Sequence, residues 1–481
     1  MEPWWFWLLV AVHETTVVVA VVTVLRWRKE PRSMLAWILA VRLLPVLGIL
    51  FFLVFGEPRG GWHRLRRRRR RKRLEAALAH KWGVFQQQHP ASPLSITDPV
   101  VKEFARLTKR LGGHIAAPGN AVRVFNDAEE TYAAIEKAID EAQSHVHMEY
   151  YIFQPDKTGQ AIRDRLIRKA REGVRCRLLL DYIGCWNLSR RFVRPMREAG
   201  VEVAYAMPVI PWHGRWRVNY RNHRKIVVVD GRIGFTGSQN IGDEYRGRLA
   251  RYGPWRDTHL MIQGPCVHHL QEVFIEDWHY TTREDLVKDE YFPLPGPAGE
   301  HMVQLLPSGP GQPIRVMHHL LFAAVSAARS SVSVITPYFV PDAAMVLALQ
   351  SACYRGVRVR LLIPTTTDHH FVLFAGRSFY PELMEAGVEI FEHDATMLHS
   401  KVMIIDRAFA LVGSANMDER SFRLNFELTV MLYSPTVADD LYKDFETLTA
   451  RSRRIRSRHF GKHSFAREMA TGLARLASPL L

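Results

Sequence analysis

Cysteine is scarce in this sequence. Four in 481 residues (Cys176, Cys185, Cys266 and Cys353), with no CxxC pair, exclude a disulfide framework and a zinc knuckle and mildly favour a reducing compartment. A basic leader and a small-residue cleavage site are also lacking. The first apolar run follows Met1, Glu2 and Pro3, so it is expected to be retained rather than cleaved as a signal peptide. The body lacks any charge excess: residues 74–450 hold 42 Lys/Arg against 43 Asp/Glu. The net charge of +17 therefore sits in the flanks, with 15 against 4 in residues 1–73 and 8 against 1 in residues 451–481. A nucleic-acid reader carries its basic excess on the reading body, whereas basic flanks beside an apolar terminus suit an anionic membrane, and no nucleic-acid partner is expected. With 47% hydrophobic and 23% charged residues the chain is globular in composition, and its length holds two or three domains.

What is present begins with two apolar runs of 22 residues, 4–25 and 34–55, each long enough to cross a bilayer. Residues 1–56 are expected to form a transmembrane hairpin, and 57–118 a polybasic juxtamembrane segment and linker. The ten basic residues at Arg59, Arg64, Arg66 to Arg71, Lys72 and Arg73 outweigh Arg26, Arg28, Lys29 and Arg32 in the connection. The positive-inside rule then places the body on the cytoplasmic side of a multi-pass protein of the bacterial cell membrane. Glu14 and Arg42 are charges inside the runs and are expected to pair. The basic stretches at 66–72 and 451–458 read as lipid anchors, nucleic-acid arms or solvated faces. In the tail, 451–481, Phe465, Met469, Leu473, Leu476 and Leu480 form one helical stripe flanked by Lys462, Arg467 and Arg475. That stripe suits a helix in the membrane interface, and a terminal helix docked on the core has the same periodicity.

The chain is internally duplicated. HVHMEYYIFQPD at 145–156 corresponds to SVSVITPYFVPD at 331–342, GVRCRLLL at 173–180 to GVRVRLLI at 356–363, and EAGVEV at 198–203 to EAGVEI at 385–390. Short β-branched runs separated by helical stretches predict an α/β fold, with one half over 119–300 and a second over 301–450. Each half also carries the same six residues at the same spacing: His223, Lys225, Asp230, Gly237, Ser238 and Asn240, then His399, Lys401, Asp406, Gly413, Ser414 and Asn416. Six such matches arise by chance at about 10⁻⁸ per starting position. Between Gly200 and His223 the first half has 11 more positions than the second has between Gly387 and His399, read as a loop containing Pro208, Pro211, Trp212 and Trp216 beside the site.

Each motif opens on a β-branched run, so residues two apart share a face and each half presents one imidazole with one ammonium. Asp230 and Asp406, seven positions on, have odd parity and read as turn or scaffold residues. Ser238, Asn240, Ser414 and Asn416 offer hydrogen bonds to phosphate oxygens at the strand end. Around one cleft between two halves related by a pseudo-twofold axis, the two sets suit a phosphodiester: one histidine attacks phosphorus and the other protonates the leaving alcohol, with no metal or cofactor needed. A histidine acting through one nitrogen needs the other held, and Asp257 and Glu427 are the candidates, with Glu149 and Glu244 also in reach. His393 and Asp394 raise metal ligation, but nothing matches them in the other half.

These residues resemble the phospholipase D superfamily, whose signature is the duplicated HxK-x4-D-x6-GSxN element, and more narrowly its bacterial cardiolipin synthase branch. The narrower likeness rests on RSMLAWILAVRLLPVLGILFFLVFG, NHRKIVVVDGRIGFTGSQNIGDEY, WRDTHLMIQGP, TPYFVPD, AGRSFYPELMEAGVEIFEHDATMLHSK and VGSANMDERSFRLNFE, and covers nearly all of residues 30–450. The resemblance implies phosphatidyl transfer between two phosphatidylglycerol molecules, giving cardiolipin and glycerol through a phosphatidyl-histidine intermediate. It makes His223, Lys225, Asp230, His399, Lys401 and Asp406 the catalytic motif residues. His223 would be the nucleophile and His399 the acid and then base, although the two motifs are locally equivalent. The alternative is a hydrolase of the same superfamily acting on phospholipid or, less readily, nucleic acid.

Overall fold

The computed structural model describes residues 3–26, 31–44, 47–55, 98–210, 215–216, 219–249, 253–310, 312, 314–365 and 370–456, with single positions within 76–84 and 469–475. The basic stretch at 66–72, Arg28 and Lys29 in the connection, Pro211 and Trp212 in the inserted loop, and Phe465, Leu473, Leu476 and Leu480 of the terminal stripe lie outside the described residues. The chain divides into two compact units, one of Met1–Arg66 with Pro208–Asn219 and the other of Arg67–Met207 with Tyr220–Leu481.

In the first unit the helix Trp4–Arg26 is long and apolar enough to cross a membrane. The second apolar run is not one helix as expected but two, Pro31–Leu43 and Leu47–Phe55. Pro45 falls between them, and a proline removes a helical donor and crowds the carbonyl four residues back, which interrupts a helix. Arg42 Nη1 donates to Glu14 Oε1 at 2.6 Å, so the charges of the two apolar runs do pair. Val17, Ala20, Val24, Val41 and Phe52 pack together beside them.

The second unit is built on a 16-stranded sheet, of which fourteen strands form the repeat and the short pieces Arg221–Asn222 and Arg453–Arg454 are the other two. Its first-half strands are β1 (Ala117–Phe125), β2 (His145–Tyr150), β3 (Arg175–Asp181), β4 (Glu202–Ala206), β5 (Ile226–Val229), β6 (Ile233–Gly237) and β7 (His259–Gln263). The second half supplies β8 (His301–Ser308), β9 (Ser331–Ile335), β10 (Arg358–Pro364), β11 (Glu389–His393), β12 (Val402–Ile405), β13 (Phe409–Gly413) and β14 (Asn425–Tyr433). The halves join where β1 pairs antiparallel with β8. From that seam the order runs β1-β7-β6-β5-β2-β3-β4 one way and β8-β14-β13-β12-β9-β10-β11 the other, the same sequence of elements twice. In each half a parallel trio (β2, β3, β4 and β9, β10, β11) joins an antiparallel hairpin, β5 with β6 or β12 with β13.

Local chemistry explains the repeated phrases. The Pro-Asp that closes each opening phrase begins a helix: Asp156 Oδ1 accepts from Gly159 N and Asp342 Oδ1 from Met345 N, both at 3.0 Å. The motif aspartate makes the hairpin turn. Asp230 and Gly231 have φ of 53° and 64°, and Asp406 and Arg407 have 52° and 54°, the left-handed pair of a type I′ turn. Apolar residues of the strands and flanking helices fill three large clusters, among which Leu178, Leu180, Leu361, Val228 and Val430 are buried to 1% exposure or less.

Candidate active site

Both histidines stand at the end of the sheet where the parallel strands finish, because β5 and β12 run antiparallel to β2 and β9. Residues leading into each motif pair with the opposite half. Arg221–Asn222 lies parallel to Asn425–Phe426, and His223 N donates to Phe426 O at 2.9 Å. Trp255–Arg256 lies parallel to Met397–Leu398, and His399 N donates to Arg256 O at 2.8 Å.

The side chains repeat this exchange. His223 Nδ1 lies 3.0 Å from Glu427 Oε2 and 3.1 Å from Ser414 O; both partners are acceptors, so Nδ1 carries the proton and Nε2 the lone pair. His399 Nδ1 lies 2.8 Å from Asp257 Oδ1. Each imidazole is thus oriented by a carboxylate from the other half. Both carboxylates are themselves held. Glu427 accepts from Ser414 Oγ (2.5 Å), Ser421 Oγ (3.1 Å) and Asn425 Nδ2 (3.2 Å), while Asp257 Oδ2 accepts from Trp255 Nε1 at 2.8 Å.

The motif glycines make this approach feasible. A Cβ at Gly237 would stand 2.6 Å from Thr258 O, and one at Gly413 would stand 2.3 Å from Leu428 O, each next to the carboxylate-bearing residue.

Lys225 Nζ donates to His223 O at 2.7 Å, and Lys401 Nζ donates to His399 O at 2.8 Å and to His399 Nε2 at 2.9 Å. The structure shows no hydrogen bond to His223 Nε2 among the described residues, so the two imidazoles differ at the ring nitrogen not held by a carboxylate. Burial lowers the His223 pKa to about 4, opposed by Glu427 and reinforced by the Lys225 and Lys401 ammoniums. Burial, then Lys401, lower that of His399. Burial brings Lys225 down to about 7, with the Lys401 charge adding to the effect. Burial also opposes charge on Asp257 and Glu427, yet the facing imidazoles and lysines outweigh it and hold both below the ordinary carboxylate range. The result is a buried pocket of two ionised carboxylates and two neutral imidazoles with the lysines beside them. Tyr151 meets His223 edge-on with ring centroids 4.8 Å apart, and Trp255 lies 5.4 Å from His399.

Other candidate residues are placed differently. Asp230 accepts from the backbone N of Gln143, Ser144 and His145, and Asp406 from that of Arg329, Ser330 and Ser331, at the far end of β5 and β12 from the imidazoles. Both aspartates thus brace the frame around the hairpin turns. Ser238 and Ser414 were expected to bind phosphate, but their hydroxyls close onto the neighbouring strand: Ser238 Oγ donates to Thr258 O and Ser414 Oγ to Glu427. Asn240 is committed to the frame, accepting from Ile152 N at 3.3 Å and donating to Tyr245 Oη at 3.2 Å. Asn416 differs, since its Oδ1 is buried without a partner and the residue lines a small cavity with Lys401, Thr336 and Met317. Glu149 bonds Asn222 rather than an imidazole, Glu244 meets Tyr245, and His393 uses both nitrogens on Ser452 (2.9 Å) and Thr396 (3.0 Å).

One residue escaped the sequence reading. Arg224, between the motif histidine and lysine, is fully buried. It donates from Nε to Glu427 O (3.1 Å) and from Nη2 to Ser308 O (2.9 Å), and pairs with Asp277. Strand alternation turns it away from His223, and a charge on the inner face of a central strand requires partners, which was the available signal.

Comparison with known proteins agrees with this duplicated architecture. The family described as cardiolipin synthase, PLD-like domain, matches residues 135–278 and again 321–449, and one described as phospholipase D-nuclease N-terminal matches 16–57. Cardiolipin synthase of Geobacillus kaustophilus (strain HTA426) is 40% identical over 460 residues, covering 94% of this chain and 90% of its own. That of Alkalihalophilus pseudofirmus is 37% identical over 483 residues, covering 100% and 95%. Among solved structures, phosphatidylserine synthase of Haemophilus influenzae Rd KW20 superposes with a TM-score of 0.61 at 13% identity, covering 78% of this chain and 100% of its own, a likeness of fold.

Proposed function

The chain belongs to the cardiolipin synthase family of phospholipase D-like phosphatidyltransferases, and we propose that it joins two phosphatidylglycerol molecules into cardiolipin and glycerol through a phosphatidyl group carried on His223. The observation that carries the covalent reading is the reciprocal support of the imidazoles, His223 by Glu427 and His399 by Asp257. It supports one shared site and, with the mirrored strand order, a pseudo-twofold relation between the halves.

Glu427 keeps the proton of His223 on Nδ1, which leaves the Nε2 lone pair to attack the phosphorus of the first lipid. As the P–N bond forms, the P–O bond to the departing glycerol breaks, and that oxygen takes a proton from His399 Nε2. His399 is neutral in the empty site. Burial and then the Lys401 charge keep it so; a phosphodiester anion arriving between Lys225 and Lys401 offsets the ammonium part, His399 Nε2 takes up a proton from solvent before the transfer, and Asp257 stabilises the imidazolium. In the second half-reaction His399 Nε2 accepts the proton of a hydroxyl on the second phosphatidylglycerol. Its oxygen attacks phosphorus, the P–N bond breaks, and cardiolipin leaves with His223 restored. Lys225, Lys401 and Asn416 are the groups left to meet the non-bridging oxygens.

For the membrane end we place two passes, the helix Trp4–Arg26 and the interrupted segment 31–55, tied by the Glu14–Arg42 pair, with the body cytoplasmic by the excess of basic residues after the second pass. Purified full-length protein in detergent, given phosphatidylglycerol, is expected to yield cardiolipin plus glycerol. Exclusive release of phosphatidic acid would reject transfer in favour of hydrolysis.

A further inference from the structure

The phosphorus of a membrane phosphatidylglycerol lies in the headgroup layer, whereas both imidazoles are buried at the end of the sheet where β2–β4 and β9–β11 finish. Two exposed apolar groups stand at that same end, one from each half. In the first half β3 ends at Asp181 and the chain turns, exposing Tyr182, Ile183 and Trp186, the last at 77%. The turn is firmly built. Asp181 Oδ1 accepts from Ile183 N (3.0 Å) and Gly184 N (2.9 Å), and Cys185 Sγ donates to the carbonyl of Tyr151, whose ring meets His223. In the second half β10 is followed by the helix His370–Arg377, which exposes Phe371 and Phe374, each at 48%. That helix is seated by Gly376, where a Cβ would fall 2.5 Å from the carbonyl of Phe339. Phe339–Val340 in turn pairs with Met417–Asp418, directly after Asn416.

Single exposed aromatics need no explanation. Two sets at corresponding places of a duplicated fold, each linked by a short chain of contacts to the site, do. Immediately after Trp186 the helix Arg190–Glu198 opens with exposed Arg190 and Arg191, and neither has an ion-pair partner among the described residues. Tryptophan settles at the membrane–water interface, and unpaired arginines meet anionic headgroups, so this composition matches an anionic bilayer surface.

We propose that Tyr182, Ile183 and Trp186 on one side, and Phe371 and Phe374 on the other, form a rim that enters the headgroup layer of a phosphatidylglycerol bilayer around the two-histidine site. The rim lets a lipid phosphate reach His223 and His399 while its acyl chains stay in the membrane. This rests on the transfer reaction above.

The test uses the full chain in phosphatidylcholine nanodiscs, with phosphatidylglycerol supplied either as a long-chain lipid in the disc or as a short-chain, water-soluble analogue. The paired substitutions Ile183→Ser with Trp186→Ser, and Phe371→Ser with Phe374→Ser, are each expected to lower kcat/KM on the long-chain lipid by about tenfold or more. Turnover of the short-chain lipid is expected to stay within about twofold, as for other exposed substitutions. Unchanged turnover of the long-chain lipid, or an equal fall on both substrates, would overturn the rim. Failure of the unsubstituted protein to form cardiolipin from either substrate would overturn the transfer reading, and the rim with it.

Discussion

Glu427→Gln isolates the role of the carboxylate that reaches across from the second half. Glutamine keeps the volume and two polar atoms but removes the charge, and it can present an N–H to His223 Nδ1, now 3.0 Å from a carboxylate oxygen. An N–H facing Nδ1 competes with the Ser414 carbonyl 3.1 Å away and shifts the imidazole toward the tautomer with its proton on Nε2, where the lone pair is needed. Loss of one charge-assisted hydrogen bond alone is worth about 1.5–3 kcal/mol, or roughly 10- to 150-fold. The wrong tautomer carries the loss further, towards about 10⁴ when a buried carboxylate behind a catalytic histidine is made an amide. The expected outcome is a fall in kcat of about 10² to 10⁴, with KM little changed, because Glu427 is fully buried and touches no lipid. Initial rates of cardiolipin formation, together with thermal unfolding of the variant, are the measurements. A variant that stays within a few-fold of the parent and unfolds at the same temperature would refute the claim that Glu427 orients the nucleophile.

Other consequences follow from the same geometry. Burial places Lys225 near 7, so its ammonium is present below that pH and lost above it; kcat/KM is expected to fall as pH rises through about 7, and a profile flat well past neutrality would contradict it. His223 is already neutral above about 4, so no acid limb belonging to it should appear near 6.5. Asp230→Ala strands three backbone N–H groups and puts alanine at a φ of 53°, so stability measured by denaturant unfolding should drop by about 2–4 kcal/mol while kcat of the folded fraction holds. Gly413→Ala sets a Cβ 2.3 Å from Leu428 O and should displace the strand that carries Glu427, seen as loss of both soluble yield and turnover. Under the proposed two-pass placement, Glu14→Leu or Arg42→Leu alone leaves a lone charge in an apolar run, so membrane-inserted yield should be lower for each single variant than for the double.

Much of this site was legible because β-structure has a period of two. His223 with Lys225 and His399 with Lys401 share a face by parity, and the same arithmetic turned Asp230 and Asp406 away, where they form hairpin turns and gather backbone N–H groups. The duplication was visible because both copies retain the same strand and turn chemistry. Pairing was not visible. Asp257 and Glu427 could be picked out as candidates, but their exchange between halves depends on Arg221–Asn222 and Trp255–Arg256 crossing to the opposite half, a long-range register that no local pattern encodes. The partners of the serine hydroxyls were not visible either, because a side chain at a strand end can turn either to the cleft or to the adjoining strand. Ser414 turns to Glu427 because an ionised buried carboxylate is the stronger acceptor. Arg224 carries no local signal beyond its charge on a central strand, and run length alone does not register the break that Pro45 makes between two helices.

The central claim is that one phosphorus is passed between His223 and an alcohol while His399 moves the proton. Rapid quenching of the full-length protein with phosphorus-labelled phosphatidylglycerol into alkaline denaturant, which preserves a P–N bond, followed by peptide mapping at alkaline pH, tests it most directly. Label on the peptide containing His223 is the expected result, and Asp257→Asn, which weakens the base that activates the second alcohol, is expected to increase it by slowing P–N cleavage. Label on His399 instead, or turnover with no labelled histidine at all, would contradict it.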